Sequence, residues 1–176
     1  MMDSGRVENG LIMVYTGNGK GKTSAALGSV IRALGWGWKV AVVQFVKGSC
    51  ETGEYQFFHR YFPDMLFEVA GCGFTSKPGN HREYALEGWR KAENLLRNFD
   101  GGLLVLDELN IAINSGLLEI ENVIEALKTK RKGLHVIITG RYAREELIAV
   151  ADMVSEINEI KHQFRNGIPA LKGIDF

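Results

Sequence analysis

A glycine-rich segment near the amino terminus constrains the fold of this chain more than any other feature. It follows an apolar run, residues 11–15, and precedes a stretch of helical composition, residues 25–34. A strand, a glycine turn and a helix start form a phosphate cradle, because backbone N–H groups and the positive helix end converge on one anion. The segment itself reads Thr16-Gly17-Asn18-Gly19-Lys20-Gly21-Lys22-Thr23-Ser24.

The spacing of this loop departs from the general phosphate-loop pattern, Gly-x-x-x-x-Gly-Lys-Ser/Thr, only at its first position, where Thr16 stands. A simple turn between a strand and a helix is the alternative, but alternating glycines followed by Gly-Lys-Thr are rarely only a turn. Lys22 supplies a mobile positive charge, and the Thr23 hydroxyl can ligate a magnesium ion on the phosphates. We therefore expect this loop to bind nucleotide phosphates.

Further apolar runs alternate with helical patterns along the rest of the chain. The predicted strands after the first are 39–45, 66–70, 103–108, 135–140 and 153–157. The predicted helices are 23–34, 55–62, 81–99, 111–113, 120–127 and 144–151. The tail after residue 160 has two turn signals and no clear helix. This alternation predicts one α/β domain over residues 1–176, with a mostly parallel sheet flanked by helices.

Polar residues follow several of these strands at the edge where ligands of parallel sheets bind. Asp107 and Glu108 end one buried strand, and after a phosphate loop such carboxylates hold magnesium directly or through water. Gln44 interrupts another strand near its carboxyl end. Arg141 follows a third strand, where it either touches phosphate or substrate or solvates a helix start.

Composition excludes several other classes of protein. The 176 residues carry 21 acidic and 21 basic side chains, which gives no electrostatic footprint for nucleic acid or an anionic membrane. No apolar run approaches a membrane span, and the polar amino terminus is not a secretory signal. Cys50 and Cys72 lack metal-ligand spacing, and the four histidines are scattered. We expect a cytoplasmic protein with no nucleic-acid or membrane partner.

Two aromatic features have no single interpretation. The predicted helix 55–62 carries an aromatic stripe that either faces the core or contacts a large flat ligand. Phe74 lies in the breaker-rich loop 71–80 without helical or strand periodicity, so it is either exposed to a ligand or part of the core.

The sequence resembles the ATP:corrinoid (cob(I)alamin) adenosyltransferases of the phosphate-loop type. The resemblance runs from about Leu11 to the last residue and includes the unusual loop spacing. The supporting stretches are 16–23, 42–48, 73–75, 106–109, 136–141, 161–162 and 173–176.

This resemblance implies a RecA-like phosphate-loop NTPase fold and usually a homodimer. It implies transfer of the 5′-deoxyadenosyl group from ATP, the co-substrate, to the Co(I) centre of a corrinoid, giving adenosylcobalamin or another adenosylcorrinoid and triphosphate. ATP would lie across the loop in a reversed sense. A flavoprotein or flavodoxin-type electron donor is the partner class expected to keep the cobalt reduced.

The resemblance also implies residue roles. Lys22 and Phe74 would be catalytic, and residues 17–24 would bind ATP. Thr23 and Glu108 would hold Mg²⁺, with Asp107 behind them. Phe74 would help displace the lower axial ligand of Co(II), which makes the cobalt easier to reduce. The family's tryptophan two residues later is Ser76 here, so another group, such as the aromatic segment 55–62, would take its part.

Two other functions are alternatives to the transferase. An ordinary phosphate-loop kinase or ATPase needs a water-positioning group or a phosphoryl acceptor site, and no pattern in the sequence indicates either. A non-catalytic module that delivers nucleotide or corrinoid would bind without turnover. The loop offers a charge clamp and no obvious nucleophile, which agrees with attack by a metal centre.

Overall fold

A computed structural model describes residues 8–46, 52–71 and 79–176. Six strands form one sheet in the order β3-β2-β4-β5-β1-β6, and every neighbouring pair is parallel. The elements in chain order are β1 (Ile12–Thr16), α1 (Lys22–Gly35), β2 (Val40–Gln44), α2 (Gly53–Tyr61), β3 (Leu66–Val69), α3 (His81–Asn98), β4 (Leu103–Asp107), α4 (Leu109–Asn114), α5 (Ile120–Lys128), β5 (His135–Thr139), α6 (Glu145–Val150), β6 (Met153–Glu156) and a 3-10 turn (Gln163–Asn166). The predicted α/β architecture is confirmed.

The central strands are buried on both faces. Every residue of β2 and β4 is buried, as are four of the five residues of β5. Strand side chains alternate between faces, so a strand covered on both sides must be apolar throughout, as these valine-, leucine- and isoleucine-rich runs are. Helices α1 and α2 cover one face, and α3 to α6 cover the other.

Helix α3 shows how sequence pattern produces this packing. Its buried residues Ala85, Trp89, Ala92 and Leu96 recur at three- and four-residue intervals, which places them on one face of the helix. Gly88 lies on the same face, where an added Cβ would come within 2.3 Å of the Ala70 Cβ. A glycine there allows the helix to approach the end of β3.

Several details differ from the sequence-based expectations. Strand β5 lies between β1 and β4, so the carboxylate-bearing strand lies near the strand that feeds the loop without being its direct neighbour. In α2 only Phe58 is buried, whereas Phe57 and Tyr61 are 44% and 59% exposed, so the core-facing interpretation holds for part of the aromatic stripe. The tail contains a 3-10 turn that the sequence did not predict. Among the described helices, none is long and apolar enough to cross a bilayer.

The amino-terminal edge of the sheet carries a histidine in its neutral form. His135 begins β5, stacks on Trp38 with ring centroids 5.4 Å apart, and accepts a hydrogen bond at Nδ1 from the Leu11 N–H at 3.1 Å. Burial lowers the pKa of His135 below its ordinary 6.5, and the positive charge of Lys130 lowers it further. Protonation would remove the acceptor that anchors the start of β1.

This contact predicts a pH-dependent stability. Because the pKa of His135 is lower in the folded than in the unfolded chain, its contribution is present above about pH 6.5 and is lost as the pH falls through the folded-state value. His135→Asn keeps an acceptor oxygen near the Nδ1 position and cannot titrate in this range. We expect a smaller loss of unfolding free energy between about pH 7.5 and 5.5 in the variant than in the wild type.

Urea unfolding at both pH values measures this difference. His59→Asn is the control, because it replaces an exposed histidine of α2 and should leave the pH dependence of the wild type in place. An unchanged pH dependence in His135→Asn would assign the effect to other groups.

Candidate functional site

The glycine loop joins β1 to the amino terminus of the 14-residue helix α1. Gly17 and Gly21 have φ angles of 92° and 115°, a left-handed conformation that favours glycine. An added Cβ at Gly17 would lie 2.5 Å from the Ile157 carbonyl oxygen. The glycines therefore meet both a conformational and a steric demand of the predicted phosphate loop.

Lys22 folds back into the loop. Its ammonium donates to the carbonyl oxygens of Gly17 at 2.8 Å and Gly19 at 2.6 Å, and the residue is only 7% exposed. Burial lowers the pKa of Lys22 from its ordinary value; the negative charge of Glu108 opposes this shift, and the positive charge of Arg141 adds to it. A buried ammonium beside a helix amino terminus favours an anionic ligand.

Asp107 connects the loop to the two neighbouring strands. Its Oδ1 accepts from the hydroxyls of Thr23 at 2.9 Å and Thr139 at 2.7 Å, and its Oδ2 accepts from the Gln44 amide at 3.0 Å. The residue is 1% exposed. Register explains part of this arrangement, because Gln44 and Asp107 are partners at the carboxyl ends of β2 and β4.

Glu108 follows directly and adopts a φ of 59°, at the cap of the short helix α4. Its backbone N–H donates to the Thr139 hydroxyl at 2.9 Å. Opposite stands Gly140, with φ 124°, where an added Cβ would lie 3.2 Å from Glu108 Oε2 and 2.9 Å from the Asn110 Cβ. The glycine leaves room for the carboxylate, and Asn110 holds the Gly140 carbonyl at 2.9 Å.

These oxygen atoms fit a magnesium ion that accompanies phosphates. The Thr23 hydroxyl donates its hydrogen to Asp107, so its oxygen lone pairs can coordinate a cation. The half-buried Glu108 adds a carboxylate. Among the described residues, no group of three His, Cys, Asp or Glu side chains could hold a metal. Mg²⁺ takes most of its ligands from water and substrate phosphates, so it needs few protein oxygens.

Two buried amide oxygens lie near these carboxylates without a hydrogen-bond partner within the described part of the chain: Gln44 Oε1 and Asn110 Oδ1. Gln44 also donates to Glu54 at 3.3 Å. An unsatisfied buried acceptor costs about 1–3 kcal/mol, so each oxygen can accept a hydrogen bond from a water or from a ligand donor.

Thr139 and Asn110 were not predicted as site residues, although Thr139 carries the same signal as Gln44, a polar residue ending an apolar strand.

The other predicted site residues lie as follows. Lys20 directs its ammonium to the Asp175 carboxylate of the tail, a pairing that the sequence did not indicate. Asn18 and Ser24 are exposed at the loop. Arg141 lies close enough to Lys22 to influence its pKa. Phe74 and Ser76 lie outside the described residues, so their predicted roles stay predictions.

Comparison with known proteins places this site in a family context. The family model of the ATP:corrinoid adenosyltransferases BtuR/CobO/CobP matches residues 8–176. A corrinoid adenosyltransferase of Pseudomonas aeruginosa is 45% identical over 174 residues, covering 97% of this chain and 86% of that protein. Corrinoid adenosyltransferases of Escherichia coli K12 and Salmonella typhimurium, the latter named CobA, are 39% and 38% identical over 172 residues, each covering 96% of this chain and 87% of the relative.

A solved structure supports the fold. The flagellar accessory protein FlaH of Methanocaldococcus jannaschii superimposes with a TM-score of 0.54 at 11% identity, covering 85% of this chain and 71% of that one. At this identity the likeness concerns the fold alone. It confirms the predicted RecA-like phosphate-loop architecture.

The loop geometry predicts opposite effects for two glycine substitutions. Gly17→Ala forces a side chain into a left-handed position against the Ile157 carbonyl, so we expect a loss of about 1–3 kcal/mol of unfolding free energy. Gly28→Ala is the matched control, because Gly28 is an exposed position in α1 with open space around it, and alanine should add about 0.5–1 kcal/mol there.

Urea unfolding measures both changes, and calorimetric titration with ATP measures binding. ATP binding should weaken in Gly17→Ala and remain at the wild-type value in Gly28→Ala. Wild-type stability and ATP affinity in Gly17→Ala would contradict the conformational requirement at this position.

Proposed function

Because the chain belongs to the ATP:corrinoid adenosyltransferase family BtuR/CobO/CobP, we propose that its glycine loop and adjacent carboxylates bind the triphosphate of ATP during adenosyl transfer. The chain is a corrinoid adenosyltransferase, a transferase of cobalamin biosynthesis whose substrates are ATP and a corrinoid. The observation that supports the site is the contact network of Lys22, Thr23 and Asp107 at the helix amino terminus.

The proposed reaction requires charge stabilisation more than proton transfer. The electron pair of a Co(I) corrinoid forms a bond to the ribose C5′ of ATP. The C5′–O bond breaks, and triphosphate departs with that electron pair, while the cobalt becomes formally Co(III). Because no proton moves, the protein needs to align the two substrates and neutralise the leaving group.

Lys22 and the loop amides are suited to this task. The Lys22 ammonium is already enclosed by the loop, so phosphate oxygens can replace the carbonyls of Gly17 and Gly19 as its acceptors. Lys20, which pairs with Asp175 at the edge of the loop, adds a second positive charge beside the phosphates. Such preorganised donors lose little free energy to reorganisation as charge develops on the leaving oxygen.

The magnesium site is part of the same proposal. Thr23 and Glu108 would hold the ion, and Asp107 orients the Thr23 hydroxyl through the 2.9 Å hydrogen bond. When bound, Mg²⁺ would neutralise negative charge on the triphosphate. Asn18, Gly21 and Ser24 complete the proposed ATP-binding loop, residues 17–24.

Further parts of the proposal rest on the family resemblance. A homodimer, a flavoprotein or flavodoxin-type electron donor and a cytoplasmic location agree with a reaction that consumes ATP and a reduced corrinoid. The role of Phe74 at the lower face of the corrin also belongs here. The extent of the single domain, residues 1–176, stays a prediction.

Product analysis tests the proposal directly. Incubation with ATP, Mg²⁺ and chemically reduced cobalamin should yield a light-sensitive adenosylated corrinoid and free triphosphate. An ordinary phosphate-loop ATPase or kinase would instead release ADP, and a delivery module would bind corrinoid without turnover. Either result would refute the adenosyl-transfer mechanism.

The first site prediction concerns Lys22. Lys22→Ala removes the buried charge at the centre of the loop, so we expect kcat/KM for ATP to fall by at least about tenfold, equivalent to ~1.4 kcal/mol of transition-state stabilisation. The matched control is Lys128→Ala, which removes an exposed lysine at the end of α5. A smaller loss of kcat/KM in a correctly folded Lys22→Ala protein would show that Lys22 does not bind the triphosphate as proposed.

The second site prediction concerns Phe74. If this side chain helps to remove the lower axial ligand of Co(II), Phe74→Ala should lower turnover from Co(II) with an added reductant more than turnover from pre-reduced Co(I). Phe99→Leu, at the end of α3, offers a control for the loss of an aromatic ring elsewhere. Equal losses from both cobalt states would count against the axial-ligand role.

A further inference from the structure

The phosphate loop has two flanks, which differ in what occupies them. The β4 flank contains Asp107 and Glu108. The β6 flank consists of residues 156–158, at the end of β6, and the terminal tail residues 171–176. On the β6 flank the Gly19 N–H donates to the Ile157 carbonyl at 2.6 Å, and the Ile157 N–H donates to the Thr16 carbonyl at 2.9 Å. The chain after β6 thus packs directly against the loop.

Asp175 fastens the tail to this flank. One carboxylate oxygen pairs with the Lys20 ammonium. The other accepts from the Gln163 amide at 2.9 Å and from the Leu171 N–H at 2.7 Å. The Asp175 side chain is only 13% exposed. A single carboxylate therefore joins the phosphate loop to two separate points of the tail.

A cleft of about 270 Å³ lies behind this carboxylate. Its volume is close to the lower end of the range for small-molecule sites. Its walls carry basic, aromatic and amide groups that could hold a nucleobase or ribose: Arg141, His162, Gln163, Phe164 and Arg165. Asp175 lines the cleft and also contacts Lys20, so it stands between the cleft and the phosphate loop.

We propose that Asp175 is a positioning residue that determines which way ATP lies on the loop. This inference rests on the proposed function and extends it to substrate orientation. The ion pair with Lys20 separates the loop from the cleft, and the Asp175 charge repels phosphates that approach from that side. This arrangement directs the nucleoside of ATP away from the cleft, over the β4 flank. An obstacle of this kind secures specificity by excluding the wrong binding mode.

Removing the obstacle has a characteristic kinetic signature. In Asp175→Asn, ATP could also bind with its nucleoside in the cleft, a complex in which C5′ is away from the corrinoid. Nonproductive binding of one substrate lowers kcat and KM by the same factor and leaves kcat/KM unchanged. We expect both constants to fall by about threefold or more in Asp175→Asn, with kcat/KM within about twofold of the wild type.

Two control variants separate orientation from simple loss of structure. Asp175→Glu keeps the charge and should restore both constants toward their wild-type values. Glu121→Gln removes an exposed carboxylate of α5 that does not line the cleft, so its constants should match the wild type. A fall in kcat/KM, or no change in either constant, in Asp175→Asn would overturn the proposal.

Photolabelling provides a test that does not depend on the folding of a variant. With 8-azido-ATP, the wild-type protein should be labelled outside residues 156–176, and Asp175→Asn should gain label within that segment. Labelling of the wild-type tail would overturn the orientation proposal while leaving adenosyl transfer intact. Absence of adenosylated product from the wild-type protein would instead refute the proposed function.

Discussion

The carboxylate of Asp107 is the contact on which the arrangement of the site depends. It receives hydrogen bonds from three different elements: Thr23 of α1, Thr139 of β5 and Gln44 of β2. A buried carboxylate requires such donors, because taking its charge out of water without compensation is very costly. Removing any one of these donors would weaken the hydrogen bonding that compensates the buried charge. The network therefore keeps the carboxyl ends of these strands in register with the start of the loop helix.

This constraint explains how β4 serves the loop although β5 separates it from β1. The Thr139 hydroxyl donates to Asp107 and accepts from the Glu108 N–H, so it bridges the gap and also fixes the backbone of Glu108. Gly140 follows Thr139, and its missing side chain leaves space for the Glu108 carboxylate. One carboxylate is thus committed to structure, and the next is presented at the loop.

Much of this arrangement could be predicted from the sequence, because the relevant signals are local. The glycine loop, the apolar strands and the carboxylates at the end of β4 each follow from a few adjacent residues. Lys20–Asp175 could not be predicted in this way, since 155 positions separate the partners and the tail has no periodic pattern. The insertion of β5 between β1 and β4 is equally non-local. The family resemblance supplied the corrinoid chemistry, which no residue spacing in the chain specifies.

The same distinction separates phosphate recognition from substrate orientation. A loop of backbone amides and a lysine can hold a triphosphate, yet the phosphate chain has similar oxygens at both ends and does not by itself define a direction. The orientation of ATP must therefore be set by groups outside the loop. The two flanks of the loop differ in the groups that they present. The buried amide oxygens of Gln44 and Asn110, which have no hydrogen-bond partner among the described residues, lie toward β2 and β4, whereas Asp175 pairs with Lys20 on the β6 side. Transfer at C5′ depends on which end of ATP projects from the loop, so the proposed role of Asp175 would link the distant tail to the reaction.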